Sequence, residues 1–88
     1  MIGQRVTIIN PLGLHARAAA RFVSVASGFK SQITVTKGAR TMDGKSILGL
    51  LLLAAARGSD LEIAADGPDE TEALAVLCAL VARGFEDP

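Results

Sequence analysis

Aromatic side chains are nearly missing from this sequence: three Phe, no Trp and no Tyr in 88 residues. Small proteins that hold unpaired bases stack them on aromatic platforms, so single-stranded nucleic acid is a poor ligand for the chain. Excess charge of either sign is missing too. Nine Lys and Arg offset nine Asp and Glu, for a formal net charge of +0, which gives no electrostatic footprint for nucleic acid or an anionic membrane. One cysteine, Cys78, can form no internal disulfide and reads as packing material. With one histidine there is no Cys/His cluster at metal-ligand spacing. No metal and no cofactor are expected. The longest apolar run, Ile47 to Ala56, is about half of the roughly 20 residues a membrane span needs. Met1 leads into an alternating pattern without a charged leader and apolar core, so neither secretion nor membrane insertion is expected and the cytoplasm is the expected compartment.

What the chain does have is a high apolar content, 50% of its residues, in a length suited to one core. Residues 1–88 read as a single domain with no linker, low-complexity tract or internal repeat. Arg5 to Ile9 alternates with period two and is broken by Asn10-Pro11, as a half-buried strand followed by a loop. From about Ala16 the period becomes helical. Ala19, Phe22, Val23 and Ala26 form one stripe, Arg17, Arg21 and Ser24 lie on another face, and Gly28 is the expected left-handed stop. Gln32 to Thr36 and Arg40 to Met42 flank a Lys37-Gly38 turn as a hairpin. Ser46 is a good N-cap for a second helix reaching about Ala56, ended by Arg57-Gly58. Leu61 to Ala65 is a fourth strand, stopped by Asp66-Gly67-Pro68. A last helix follows, with Pro68 at its first turn, Asp69, Glu70 and Glu72 near its positive end, and Ala73, Leu77, Leu80 and Val81 as its apolar stripe. The order βαββαβα predicts an α+β two-layer open-faced sandwich: a four-stranded antiparallel sheet with three helices on one face.

The second helix is apolar nearly all round, through Ile47, Leu48 and the run Leu50 to Leu53. A sheet covers only one stripe of a helix, so part of this run should lie on the surface as a partner-docking patch. Ile47, Leu48 and Leu51, with Ala20 on the first helix, are its expected contact residues.

His15 sits where the Pro11-Gly13 loop becomes a helix. The first amides of that helix, those of Ala16 and Arg17 among them, have no partner one turn back, and they lie at the positive end of the helix dipole, so an anion is favoured there. The Arg17 guanidinium is a fork matched to phosphate oxygens. A mostly neutral imidazole can attack phosphorus without a separate general base, and a phosphoryl group on nitrogen remains a good donor.

Gly13-Leu14-His15-Ala16-Arg17 followed by Ala18-Ala19-Ala20 resembles the active-centre motif of the HPr family of the bacterial phosphoenolpyruvate-dependent phosphotransferase system. The resemblance covers essentially the whole chain, with Gly44 to Gly49 placed before the second helix as in that family. It implies that His15 carries a phosphoryl group on its pros nitrogen, Nδ1, taken from phosphorylated enzyme I and passed to IIA-type domains, with Arg17 steadying the phosphate. The chain would then be a carrier in a relay rather than an autonomous catalyst, in either the sugar-uptake or the nitrogen-regulatory branch. The resemblance also implies regulation at Ser46 by a dedicated serine kinase in some members, beside its capping role. One departure is Ala18, where many members have proline; only modest retuning is expected. Family members often carry acidic groups near the carboxyl terminus, and Glu86 and Asp87 are the residues here to which no register can be assigned from sequence.

Three other readings compete with the carrier, one of them a small RNA-binding α+β domain, which the neutral charge and scarce aromatics disfavour. A regulatory binding module would keep the fold and signal mainly through Ser46 and the apolar helix; the presence of His15 and Arg17 argues against it. A nucleotide-binding loop is excluded, because five residues separate Gly38 from Gly44 where the motif has four.

Overall fold

Alternation builds the sheet. In the strand Asp60–Asp66, Leu61, Ile63 and Ala65 are buried while Asp60, Glu62 and Asp66 are exposed, so one face is committed to a core and the other to solvent. The computed structural model describes residues 1–87 and has the order β1 (Ile2–Thr7), α1 (Ala16–Ala26), β2 (Gln32–Lys37), β3 (Arg40–Asp43), α2 (Ile47–Leu52), β4 (Asp60–Asp66) and α3 (Glu70–Ala82). The sheet runs β1-β4-β2-β3 with every pair antiparallel. Val6 lies opposite Leu61, and Val35 lies between Ile63 and Met42, which lines up the apolar row on which the helices pack. This is the expected α+β open-faced sandwich. Its core holds Ile8, Phe22, Ile33, Leu50, Leu77, Leu80 and Phe85. Cys78 belongs to it, and burial pushes its thiol up from the ordinary value, so it is a poor nucleophile.

Several boundaries differ from the sequence reading. β1 is Ile2–Thr7 rather than Arg5 to Ile9: Ile8 is buried but bonds to the loop before β4, its amide to the Ser59 carbonyl and its carbonyl to the Gly58 amide, and Ile9 is exposed. α1 is not stopped by a left-handed Gly28, whose φ is not positive. It tapers instead, with Gly28 and Phe29 donating to Val25 and Ala26, the tighter pairing common at helix ends. α3 begins at Glu70, with Asp69 at the N-cap position but making no side-chain capping bond, and Pro68 just outside it.

The largest difference is α2, which ends at Leu52 and not near Ala56. Ala54 takes φ 49, turning the chain out of the helix so that Ala55 can be buried and its carbonyl can accept from the Leu14 amide at 2.9 Å. The carbonyls at the end of α2 and just beyond it are taken by the β2–β3 hairpin: Arg40 Nη1 donates to Leu52, and Lys37 Nζ to Leu53 and Ala54. Two cations at a helix carboxyl end also complement its dipole. Gly58, read as the helix stop, instead shapes the turn into β4 at φ 90.

A side-chain tie joins the α1–β2 loop to the start of α3. The Asp69 carboxylate accepts from the Lys30 and Ser31 amides and from the Ser31 hydroxyl. These bonds hold its carboxyl at about 2, against an ordinary 3.8.

Candidate functional site

The loop before α1 is fixed by backbone. The Gly13 amide closes a turn onto the Asn10 carbonyl, and the Leu14 amide reaches Ala55. Gly13 has φ +67, and a Cβ there would sit 2.5 Å from the Ala55 oxygen, so both conformation and space demand glycine. Leu14 is buried beside it, and the next residue emerges as the N-cap of α1: His15, extended at φ −81 and ψ 179.

The imidazole is held at both nitrogens. Nδ1 accepts from the Arg17 amide at 3.2 Å, and Nε2 lies 2.8 Å from Asp87 Oδ2. The Asp87 side chain is 4% exposed and that of His15 22%. The hydrogen bond with His15 holds the Asp87 carboxyl below the usual carboxylate range against the opposing effect of burial, so Asp87 is an acceptor. An amide can only donate and a carboxylate can only accept. The two contacts therefore select the neutral tautomer with its proton on Nε2 and a lone pair on Nδ1, at the amino end of α1.

Asp87 is brought back over His15 by a strained turn. Gly84, Phe85 and Glu86 all have positive φ, a conformation that costs a non-glycine residue about 1–2 kcal/mol. Phe85 buried in the core anchors this turn. Glu86 meets Arg21 Nη1 at 2.9 Å and Arg83 Nε at 3.4 Å, and Arg21 first, then Arg83, hold its carboxyl below the ordinary value. Behind Asp87 stands Asn10, buried, whose Nδ2 donates to the Gly13 carbonyl at 2.7 Å and reaches Asp87 Oδ2 at 3.5 Å.

The structure brings His15, Ala16 and Arg17 together at one helix end. Arg17 is largely exposed, its Nε 4.0 Å from Asp87 Oδ1, and its amide is the one already engaged by His15. Ala18 is buried. Ser46 lies elsewhere, as the N-cap of α2 with its Oγ accepting from the Gly49 amide at 3.0 Å. Of the expected docking residues, Ile47, Leu48 and Leu51 are exposed, Leu48 at 68%, and Ala20 is exposed on α1; Leu52 joins them, whereas Leu50 and Leu53 are buried. Sequence reasoning missed Asn10, taken only as a strand breaker, and assigned no place to Asp87. The available signal was one polar residue flanking the loop and two acids after the last apolar stripe. Among the described residues no group of three or more His, Cys, Asp or Glu could hold a metal ion, and no helix is long and apolar enough to cross a membrane.

The sequence pattern described as "PTS HPr component phosphorylation site" matches residues 2–83. The phosphocarrier protein HPr of Neisseria meningitidis serogroup A is 51% identical over 81 residues, covering 92% of this chain and 91% of that one. The phosphocarrier protein NPr of Shewanella violacea is 40% identical over 84 residues, covering 96% and 92%. Among solved structures, an HPr from Thermoanaerobacter tengcongensis superposes with a TM-score of 0.95 at 40% identity, over 100% of this chain and 99% of that one. A match over nearly the whole length, with one fold and one His segment after the first strand, places the chain in the HPr family of phosphocarriers of the phosphotransferase system.

Proposed function

We propose that this protein carries a phosphoryl group on His15 Nδ1, accepting it from the phosphohistidine of enzyme I and passing it to IIA-type domains. The observation that carries this reading is the lone pair of Nδ1 at the amino end of α1. Donor and acceptor are both nitrogen nucleophiles in this scheme, so the transfer is nearly balanced and the protein's task is positioning and charge stabilisation. As the phosphoryl group arrives, the Ala16 amide, the Arg17 amide released when Nδ1 gives its lone pair to phosphorus, and the exposed Arg17 guanidinium supply donors to its oxygens. The apolar side chains Ile47, Leu48 and Leu51, with Ala20, form the surface on which both partners dock. Ser46, at the amino end of the same helix, is the place where a serine kinase would regulate docking, since a dianion there is tolerated by the helix and opposed by an apolar partner.

The test is incubation of the purified protein with phosphoenolpyruvate and a bacterial enzyme I, followed by intact mass spectrometry at neutral and acid pH. One acid-labile phosphoryl adduct mapping to His15 is expected, none with His15→Ala, and transfer slowed roughly 10-fold or more in both directions with Arg17→Ala. No adduct on folded protein with several enzyme I sources would remove the carrier reading. A serine kinase active on another family member that leaves Ser46 unmodified would remove the regulatory one.

A further inference from the structure

The face of the sheet turned away from the helices takes no part in the phosphoryl chemistry. Across it Arg5 lies opposite Glu62, Glu62 opposite Thr36, and Thr7 opposite Asp60. These side chains share one face because residues two apart on a strand do. Continuing the β2–β4 register two residues past Thr36 brings Gly38 level with Asp60. Gly38, in the hairpin turn with φ +59, has nothing within 4 Å of the position a Cβ would take, so the row that begins with Thr7 and Asp60 ends in open space. The result is a hollow of about 410 Å³ lined by Arg5, Thr36, Gly38, Asp60, Leu61 and Glu62, a size that accommodates a small molecule.

We propose that this hollow binds a dibasic amino acid, of the kind of lysine or ornithine. Its lining holds one cation and two anions, so it is one charge negative and favours a ligand that is one charge positive. Each of the three groups has a complement in such a ligand. Arg5 and Glu62 stand on neighbouring strands, and among the described residues neither makes an ion pair. The Arg5 guanidinium presents a fork that a ligand carboxylate fills with two parallel bonds. The Glu62 carboxylate, beside it, takes the α-ammonium, which an amino acid carries one carbon from its carboxylate. Asp60 spends Oδ1 on the Thr7 hydroxyl at 2.7 Å and keeps Oδ2 for the second ammonium. Glu62 and Asp60 are about 7 Å apart along β4, a span that the extended side chain of lysine or ornithine crosses, and the space left by Gly38 admits that chain beside Asp60. A dicarboxylic amino acid would bring a second anion against Asp60 and is disfavoured by like charge, whereas a diamine offers nothing to Arg5. The helices pack on the other face of the sheet, so His15 and the exposed leucines of α2 stay free when the hollow is filled.

The experiment titrates 15N-labelled full-length protein with L-lysine at fixed pH and ionic strength. Saturable shifts of the Arg5, Gly38, Asp60 and Glu62 amides are expected, with a dissociation constant on the order of 1 mM, because the hollow is open and its charges are screened. Glutamate and the diamine cadaverine should each bind roughly 5-fold more weakly or worse, the loss of one exposed charge contact. Arg5→Gln and Glu62→Gln, both at exposed positions, should weaken lysine binding by a similar factor with the fold intact by circular dichroism. Gly38→Asn keeps a residue that tolerates left-handed φ while placing a side chain in the opening, and should abolish binding. His15→Ala should bind lysine as the wild type does, so the outcome does not depend on whether the protein carries phosphate. Shifts that rise without saturating, cadaverine binding as tightly as lysine, or wild-type affinity in folded Glu62→Gln would each overturn the proposal, the second by reducing the hollow to a general attraction for cations.

Discussion

His15 is useful because of what its neighbours do to its two nitrogens, and those neighbours differ in how visible they are along the chain. Arg17 is two residues away and belongs to the same motif, so that half of the site was legible. Asn10 and Asp87 stand 77 residues apart, and nothing local marks either, since their meaning exists only once α3 has carried the chain back. Gly13 belongs to the legible half, and its requirement can be stated as energy. A methyl group there meets the Ala55 carbonyl in a left-handed conformation, so Gly13→Ala is expected to destabilise the fold by roughly 2–4 kcal/mol, strain and clash together. Urea unfolding checks this, and a variant within about 0.5 kcal/mol of the wild type would show that the loop relaxes freely.

At the scale of the element, α2 divides six residues between two tasks. Leu50 is 1% exposed and Leu48 68%, two positions apart on a helix held at its carboxyl end by Lys37 and Arg40. Leu50→Ala should therefore cost about 2–5 kcal/mol of stability. Leu48→Ala should cost under about 0.5 kcal/mol, yet raise the KM for enzyme I if the exposed leucines are the docking surface. Thermal unfolding and transfer kinetics on the same pair of variants separate the tasks; equal losses of stability would put Leu48 in the core. Ser46→Ala, which removes the hydroxyl accepting from Gly49, is expected to lower stability by about 1 kcal/mol, again by urea unfolding. The existence and type of every strand and α-helix could be read from periodicity, though the 3-10 turn at Gly84–Glu86 could not. The end of α2 could not, because a run of leucines has no face by which to count turns, and the residue that ends it, Ala54, has no turn signature of its own. Its left-handed φ is imposed by contacts with the His15 loop and the hairpin.

For the whole molecule, acid is the informative solvent change. Asp69 ties the α1–β2 loop to α3 with its carboxyl held at about 2 in the fold, so on acidification the unfolded chain binds the proton first. The stability this tie contributes is complete above about pH 4, declines as the pH falls toward 2, and is gone below it. Asp69→Asn should flatten the fall of the urea midpoint between pH 4 and 2; an unchanged slope would assign acid sensitivity to the other lowered carboxyls, Glu70, Glu86 and Asp87. The sheet order has a different consequence, in time. Only β2 and β3 are neighbours both along the chain and in the sheet. β1 pairs solely with β4, as the Thr7 hydroxyl bonded to Asp60 across 53 residues illustrates, and contacts that distant close late in folding. During synthesis His15 leaves the ribosome early, but it cannot meet Asp87, 72 residues on, until β1 has been captured and the turn after α3 has emerged. Until then an unfinished chain holds His15 without the Asp87 contact that selects its Nε2–H tautomer.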